Sequence, residues 1–335
     1  LFPYTTLFRS EIHHYTDKDQ GAIEICPGQV VEIPFSVYLF SAEHESSISA
    51  IIRHVYHEFH EFPGEWASVD TTISEISTAI SEDAYSPDHN TYGLISKPPT
   101  GGQINFIDGG QLAYSTKPVD FDKYIYNFEG LIAWTNGTVI AVPLLQASYY
   151  RDNKNMRNQA IHVIDHIVDN SINPSTGIPF CTQINNEWTN RGWWTGWIES
   201  EGREAGHSSY IVGQALYYIL KAYELEKTNK SVEHDGWLTF VTDVLQVLAT
   251  SQNAEGAFPR FWDEKNAEGT EYDAFSGCWV AAAMAYHHKL TKENTFLSAA
   301  QKAENVYFKD VQRMECIKTP LDVADAPDSE GVLAY

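Results

Sequence analysis

The spacing of apolar residues changes once along the chain, near residue 44. Before that point the run from Gln29 to Phe40, QVVEIPFSVYLF, is rich in Val, Ile, Phe and Tyr, alternates in part and contains a proline, which predicts a strand. After it the apolar residues recur at helical spacing. Ile48, Ile51, Ile52, Val55 and Phe59 fall on one face of a helix with Ser46 or Ser47 as N-cap, and a second helix is predicted from about Asp70 to Ser81. From there two kinds of helix alternate. The stretches Thr135 to Tyr150, His207 to Leu225 and Ser276 to His288 are apolar nearly all round and rich in Gly, Ala and Ser, so they should be buried. Asn155 to Asn170, Asp235 to Ser251 and Asn294 to Phe308 carry a charged face and should lie outside them, giving an inner and an outer ring.

An internal repeat supports the alternation. HNTYGLI (His89 to Ile95), NPSTGIPF (Asn173 to Phe180) and NAEGAF (Asn253 to Phe258) each follow a helix, with Asn90, Asn173 and Asn253 spaced by 83 and 80 positions. Each offers a polar residue for the helix end, a glycine suited to positive φ and an apolar residue returning to the core. The connecting loops are too long for a solenoid of ~34- to ~47-residue helix pairs, and long loops favour a closed ring that carries function on them.

Segments such as GHSSYIVGQALYYILKAYE and NAEGAFPRFW, within this alternation and behind a β-strand, resemble the six-hairpin (α/α)6 glycosidase superfamily, which also holds polysaccharide lyases and uronyl epimerases. The resemblance covers roughly residues 44–335 and implies an all-α toroid of helix hairpins, incomplete at its C-terminus, with a cleft where loops enter the inner helices. Such toroids often stand beside an N-terminal β-sandwich. Residues 11–43 are then a strand remnant and linker of a β domain that would pack on the toroid. Residues 1–10, LFPYTTLFRS, read as non-native, so both ends look cut.

Composition narrows the function. A net charge of -23 repels phosphates, which argues against nucleic acid and anionic membrane surfaces as partners. With 43% hydrophobic residues, 9 Trp and 19 Tyr the chain is globular rather than an acidic disordered segment. Cys26, Cys181, Cys278 and Cys316 are scattered without metal-ligand spacing and read as buried thiols. No apolar run approaches the ~20 residues of a membrane span, so no membrane insertion is expected. No P-loop, GxGxxG, HExxH or GxSxG occurs, and neither a cofactor nor a metal is expected. A periplasmic or extracellular location fits a polysaccharide-active enzyme.

Candidate chemistry gathers in two loops, 186–206 and 258–275, that precede inner helices and hold five of the nine Trp. Trp193, Trp194, Trp197, Trp262 and Tyr272 are the aromatic candidates for stacking on sugar rings, the substrate expected here. Glu129, Glu201 and Asp273 are spaced by 72 and 72 positions, each shortly before an inner helix, and Glu330 in SEGVLA echoes Glu129 in FEGLIA. Glycosidic bonds are cut by one protonated and one ionised carboxyl group. Glu201 and Asp273 are the expected pair, with Glu129 and Asp108, in FIDGG, in reserve. Arg203 and Arg260, with Arg191 nearby, place planar guanidinium forks in the same loops and suggest an anionic sugar such as a uronate. His207, at the mouth of an inner helix, is the histidine candidate. His162 and His166 flank Asp165 on an outer helix and read as surface residues rather than zinc ligands. A glycoside hydrolase is the first reading. A polysaccharide lyase using His207 or Tyr210 as base is the second, and a non-catalytic helical-repeat binding protein the third.

Overall fold

The computed structural model describes residues 48–59, 68–92, 103–107, 111–115, 129–184, 186–191, 206–318 and 329–335. The chain divides into two compact units, Leu1–Trp66 and Ala67–Tyr335. In the first, helix α1 (Ile48–Phe59) has the expected amphipathic pattern, yet Ile52 is 62% and Val55 37% exposed. The strand expected over 29–40, and residues 1–43 as a whole, lie outside the described residues.

The second unit begins with α2 (Val69–Ala79), whose N-cap Ser68 accepts the Thr71 N–H at 3.0 Å, and runs through a π turn (Ile80–Ala84) into the hairpin β1 (Tyr85–Ser86) and β2 (Thr91–Tyr92). A second antiparallel hairpin pairs β3 (Gln103–Ile107) with β4 (Gln111–Ser115). Two rows of helices follow. Helices α3 (Thr138–Tyr150), α5 (Ser209–Lys230) and α7 (Cys278–Thr291) pack side by side, with α5 in the middle. Against them lie α4 (Lys154–Asn170), α6 (Asp235–Ala249) and α8 (Leu297–Arg313), each packed on the helix that precedes it.

Burial follows the two patterns read from the sequence, with one correction. The outer helices bury a stripe at helical spacing: Met156, Ala160, Val163, Ile164 and Ile167 on α4, and Trp237, Val241, Val244, Leu245 and Leu248 on α6. Among the apolar helices only α5 is buried on nearly all sides of its first half. Helices α3 and α7 each have another helix of their row on one flank only, so Pro143 and Gln146 on α3 and Ala285 on α7 are exposed.

The two ends of the rows differ. At one end the helices are joined by the short links Arg151–Asn153, Ser231–His234 and Lys292–Phe296. At the other the chain makes long excursions over 171–208 and 250–277, and short strands among their described residues form small antiparallel sheets where loops were expected. One sheet orders β5 (Glu129–Leu131), β6 (Thr182–Ile184) and β7 (Glu187–Thr189); the other orders β10 (Gly269–Thr270), β9 (Phe261–Trp262) and β8 (His207–Ser208). The chain is thus mostly helical with minor sheets rather than wholly α.

The repeated turns behave as their residues require. Asn173 accepts the N–H groups of Thr176 and Gly177, Gly177 has φ 72°, and Ile178 is fully buried. In the later copy Asn253 Oδ1 accepts from Gly256 and Ala257, Gly256 has φ 105°, and Phe258 is fully buried. In the first copy Asn90 itself takes φ 54°, a conformation asparagine tolerates. Near the short-link end the buried carboxylate of Glu226 on α5 receives both Nε (2.8 Å) and Nη2 of Arg157 on α4, the hydroxyl of Tyr149 on α3 and Nε2 of His234 (3.1 Å). Four segments are tied through one side chain.

Candidate active site

The helices α3, α5 and α7 begin at the long-loop end, and so does the short helix α9 (Ser329–Val332). Their first turns converge. Trp134, four residues ahead of α3, donates its indole N–H to Glu330 Oε2 at 3.0 Å, and Tyr210, in the first turn of α5, donates its hydroxyl to the same oxygen at 3.2 Å. Trp279, at the start of α7, stands edge-on to the Tyr210 ring (centroids 6.2 Å, planes 87°), and the Trp134 ring meets Tyr210 in the same way at 6.5 Å and 80°. The backbone of α9 is fastened to α7 by the Cys278 thiol, which donates to Gly331 O at 3.3 Å. A half-buried carboxylate is thereby held by two donors from two helix starts, among three aromatic rings.

Local sequence explains why Trp134 stands there. The segment between β5 and α3, Ile132 to Gly137, folds back on itself. Asn136, fully buried, accepts the Leu131 N–H at 2.7 Å and donates to Tyr92 O at 3.2 Å. Gly137 takes φ 57°, where a Cβ would run into the carbonyl oxygens of Leu131 and Ile132. Trp134 itself has φ 74°, a left-handed conformation that is an outlier for so bulky a residue and costs about 1–3 kcal/mol. Its own N–H is held by Gln214 Oε1 at 2.7 Å, from the second turn of α5. The strain is maintained by these bonds on both sides, and its effect is to deliver the indole to Glu330.

Burial drives the Tyr210 hydroxyl far above its usual range, and the Glu330 charge adds to it. The phenol is therefore a donor at neutral pH and no base. His207 is fully buried in β8. Its Nδ1 donates to Pro179 O at 2.9 Å, while Nε2 accepts from the Thr176 hydroxyl (3.1 Å) and the Asn173 amide (3.3 Å). Burial lowers its pKa to about 4, so it is a neutral, satisfied structural histidine and not the site histidine expected.

The other expected residues divide into three groups. Trp262, Tyr272 and Arg260 are used for folding. Trp262 is fully buried in β9 with its N–H on Ser251 Oγ (2.7 Å), and the half-buried Tyr272 donates to Ser251 O (2.8 Å). Arg260 is 1% exposed, reaches Glu271 Oε2 at 3.2 Å and lies over the Phe261 ring, so it is not a cleft arginine presented to a uronate. Asp273 is exposed and pairs with Lys318 Nζ at 2.6 Å; that hydrogen bond holds its carboxyl below the usual range, which suits a base and not a proton donor. Glu201, Asp108, Trp193, Trp194, Trp197 and Arg203 lie outside the described residues, as does the side chain of Glu129, whose backbone forms β5.

His162 bonds to Asn90 (2.8 Å) and His166 to Gln183 (2.9 Å), and among the described residues no cluster of metal-binding side chains occurs. Cys181, Cys278 and Cys316 are buried free thiols, as their scatter suggested. Among the described residues no helix is long and apolar enough to cross a membrane. The sequence reading missed Trp134, Gln214 and Trp279. The echo of FEGLIA in SEGVLA was a usable signal for Glu330, and Trp134 closes the first of those two segments as FEGLIAW.

No protein-family model matches the sequence, and no curated protein matches it. Solved structures similar to it include a D-mannose isomerase (13% identity, TM-score 0.40, over 51% of this chain and 44% of that one). A polysaccharide lyase aligns at 12% identity and TM-score 0.42, over 59% of this chain and 58% of its own. A possible member of the GH105 family from Salmonella enterica serovar Paratyphi A aligns at 12% identity and TM-score 0.48, over 86% of this chain and 71% of that one. The first two alignments thus span less than two thirds of those proteins. All three are (α/α)6-toroid-type enzymes, and no single family is identified. Overlaps this loose say nothing about chemistry.

Proposed function

We propose that this chain is a carbohydrate-active enzyme, built on an (α/α)6 toroid, that hydrolyses a glycosidic bond with paired carboxyl groups at the long-loop end of its inner helices. The observation that carries the reading is the convergence of Trp134, Tyr210 and Trp279 on Glu330 at the starts of α3, α5, α7 and α9. The partly exposed ring of Trp134 suits the apolar face of a sugar, and the buried Tyr210 and Trp279 rings wall the carboxylate that Trp134 and Tyr210 hold. Glu330 is assigned the ionised role, activating water or attacking the anomeric carbon. Glu201, in the aromatic loop 186–206, is assigned the protonated role, donating to the leaving oxygen. Asp273, which its spacing pairs with Glu201, is fit by its lysine partner for the ionised role only and is the alternative to Glu330 there.

Hydrolysis is preferred to β-elimination because both bases that a lyase would recruit, His207 and Tyr210, are buried in hydrogen bonds and unsuited to taking a proton. The test is turnover of a polysaccharide and oligosaccharide panel with product masses read. Saturated products, and loss of turnover by orders of magnitude in Glu330→Gln and Glu201→Gln but not in Asp273→Asn, are expected. Unsaturated uronate products would replace the hydrolase with a lyase, and full activity in Glu330→Gln would remove that residue from the mechanism.

A further inference from the structure

Trp279 does more at this site than packing requires. It is 5% exposed, and its indole Nε1 is buried and makes no hydrogen bond. A buried donor without an acceptor is costly and calls for an explanation. The Tyr210 ring lies beside it, edge-on with centroids 6.2 Å apart, and the Tyr210 hydroxyl proton is turned to Glu330 Oε2 at 3.2 Å. The elements of a chain are all present, with its first link unformed: Trp279 N–H, Tyr210 O–H, Glu330 carboxylate. Hydrogen bonds that serve catalysis are often misaligned in the substrate-free protein and tighten when substrate binds.

We propose that Trp279 is a positioning residue for Glu330, its indole N–H completing, when a sugar fills the site, a donor chain that runs through the Tyr210 hydroxyl onto Glu330 Oε2. The inference rests on the reading of Glu330 as the ionised carboxylate. Accepting the indole N–H occupies a lone pair of the Tyr210 oxygen, fixes its proton toward Glu330 and strengthens that second bond, since linked hydrogen bonds polarise one another. Trp134 secures the same carboxylate oxygen from the other side at 3.0 Å, so the carboxylate is aimed by two independent anchors. Phenylalanine at position 279 keeps a ring against Tyr210, Tyr217 and Tyr218 and removes the N–H at the expense of some packed volume.

The experiment is a double-mutant cycle of Trp279→Phe and Tyr210→Phe, with kcat and KM measured on whichever nitrophenyl glycopyranoside of a gluco, manno, galacto, xylo, rhamno and glucurono panel the wild type cleaves fastest. Loss of the Tyr210 hydroxyl should lower kcat roughly ten- to a hundredfold, as expected for one hydrogen bond to a charged group. Trp279→Phe should lower it several-fold, and the double variant no further than Tyr210→Phe, with KM unchanged throughout and kcat read well below the melting temperature of each variant. Full kcat in Trp279→Phe, or a loss that multiplies with that of Tyr210→Phe, overturns the chain. Glu330→Gln separates the two claims: activity retained there removes Glu330 from the mechanism and the chain with it, whereas activity lost there with Trp279→Phe at full kcat removes only the chain. A measurement without turnover follows the indole N–H resonance of Trp279 in nitrogen-labelled protein. It should move when the uncleavable thioglycoside of that sugar is bound to the wild type and stay in place when it is bound to Tyr210→Phe, which keeps the ring and deletes the acceptor; a resonance that the bound thioglycoside leaves unmoved in the wild type also overturns the chain.

Discussion

Replacing Glu226 by glutamine should destabilise the protein more than any other single isosteric change among its described carboxylates, because no other gathers so many donors in so buried a place. The carboxylate side chain has 0% exposure, and it binds Tyr149, Arg157 and His234 from three different segments. Removing one partner of a buried ion pair costs about 3–5 kcal/mol. Arg157 keeps 25% exposure and water recovers part of its solvation, which brings the expected loss to roughly 2–3 kcal/mol. At roughly 2–4 °C per kcal/mol for a domain of this size, the melting temperature should fall by about 4–12 °C. Burial pushes the Glu226 carboxyl up, but the hydrogen bonds from Arg157, Tyr149 and His234 outweigh it and hold it below the usual range. A lowered folded-state value means that the stability is present above the unfolded glutamate pKa of about 4.3 and is lost as pH falls through the folded value. The difference between wild type and Glu226→Gln should therefore be full at pH ~7 and shrink below pH ~4.3. Calorimetry over that range checks both. Melting temperatures within a degree or so at neutral pH, or a difference that grows on acidification, would refute the reasoning.

The corrected residues make their own predictions. Arg260→Ala should lower stability by about 2 kcal/mol, breaking the pair with a Glu271 that is 22% exposed, and should weaken binding of a uronate oligosaccharide and its neutral analogue alike; a loss confined to the uronate would restore Arg260 to the cleft. His207, buried neutral with its pKa lowered to about 4, binds its proton more weakly in the folded than in the unfolded chain, so wild-type stability should fall as pH drops from about 6.5 toward 4 and His207→Gln should lack that component in denaturant titrations at stepped pH.

What the sequence made legible is what periodicity controls. The six long helices begin within three residues of where the change from all-round to one-sided apolar spacing puts them, at 138, 154, 209, 235, 278 and 297. The turns at Asn173 and Asn253 were readable because glycine takes the positive φ of Gly177 and Gly256 without steric cost. The site was less legible, for a physical reason. Tryptophan in a loop carries no mark of whether it faces water or packs beneath a strand, and Trp262 packs because Phe261–Trp262 pairs with both His207–Ser208 and Gly269–Thr270. Those two-residue strands have no period to detect. Arginine beside glutamate is equally ambiguous, and in Arg260 the fork turned inward to Glu271. Glu330 lies some 120 positions from Tyr210 and 196 from Trp134, and no local pattern encodes a contact of that range.

The small sheets explain why the convergence falls at this end of the helices and not the other. Strand β5 leads through the Asn136 and Gly137 turn to Trp134 and α3, while β8, paired with β9, leads directly to Tyr210 and α5. Helices α3 and α5 thus start from a staked strand rather than from a free loop, which fixes the direction of the first side chains that enter the site. The α7 start is held differently, by Phe275 N–H on Ile317 O at 3.0 Å and by the Cys278 thiol on α9. At the opposite end the helices are joined by links of three to five residues, and their junction is filled by the Glu226 cluster, in which Tyr149, Arg157 and His234 all donate to one carboxylate. One end of the bundle is closed by a satisfied buried charge, and the other holds a carboxylate on two donors with a third, the Trp279 N–H, in reserve. The proposed catalytic role of Glu330 rests on this contrast between the two ends.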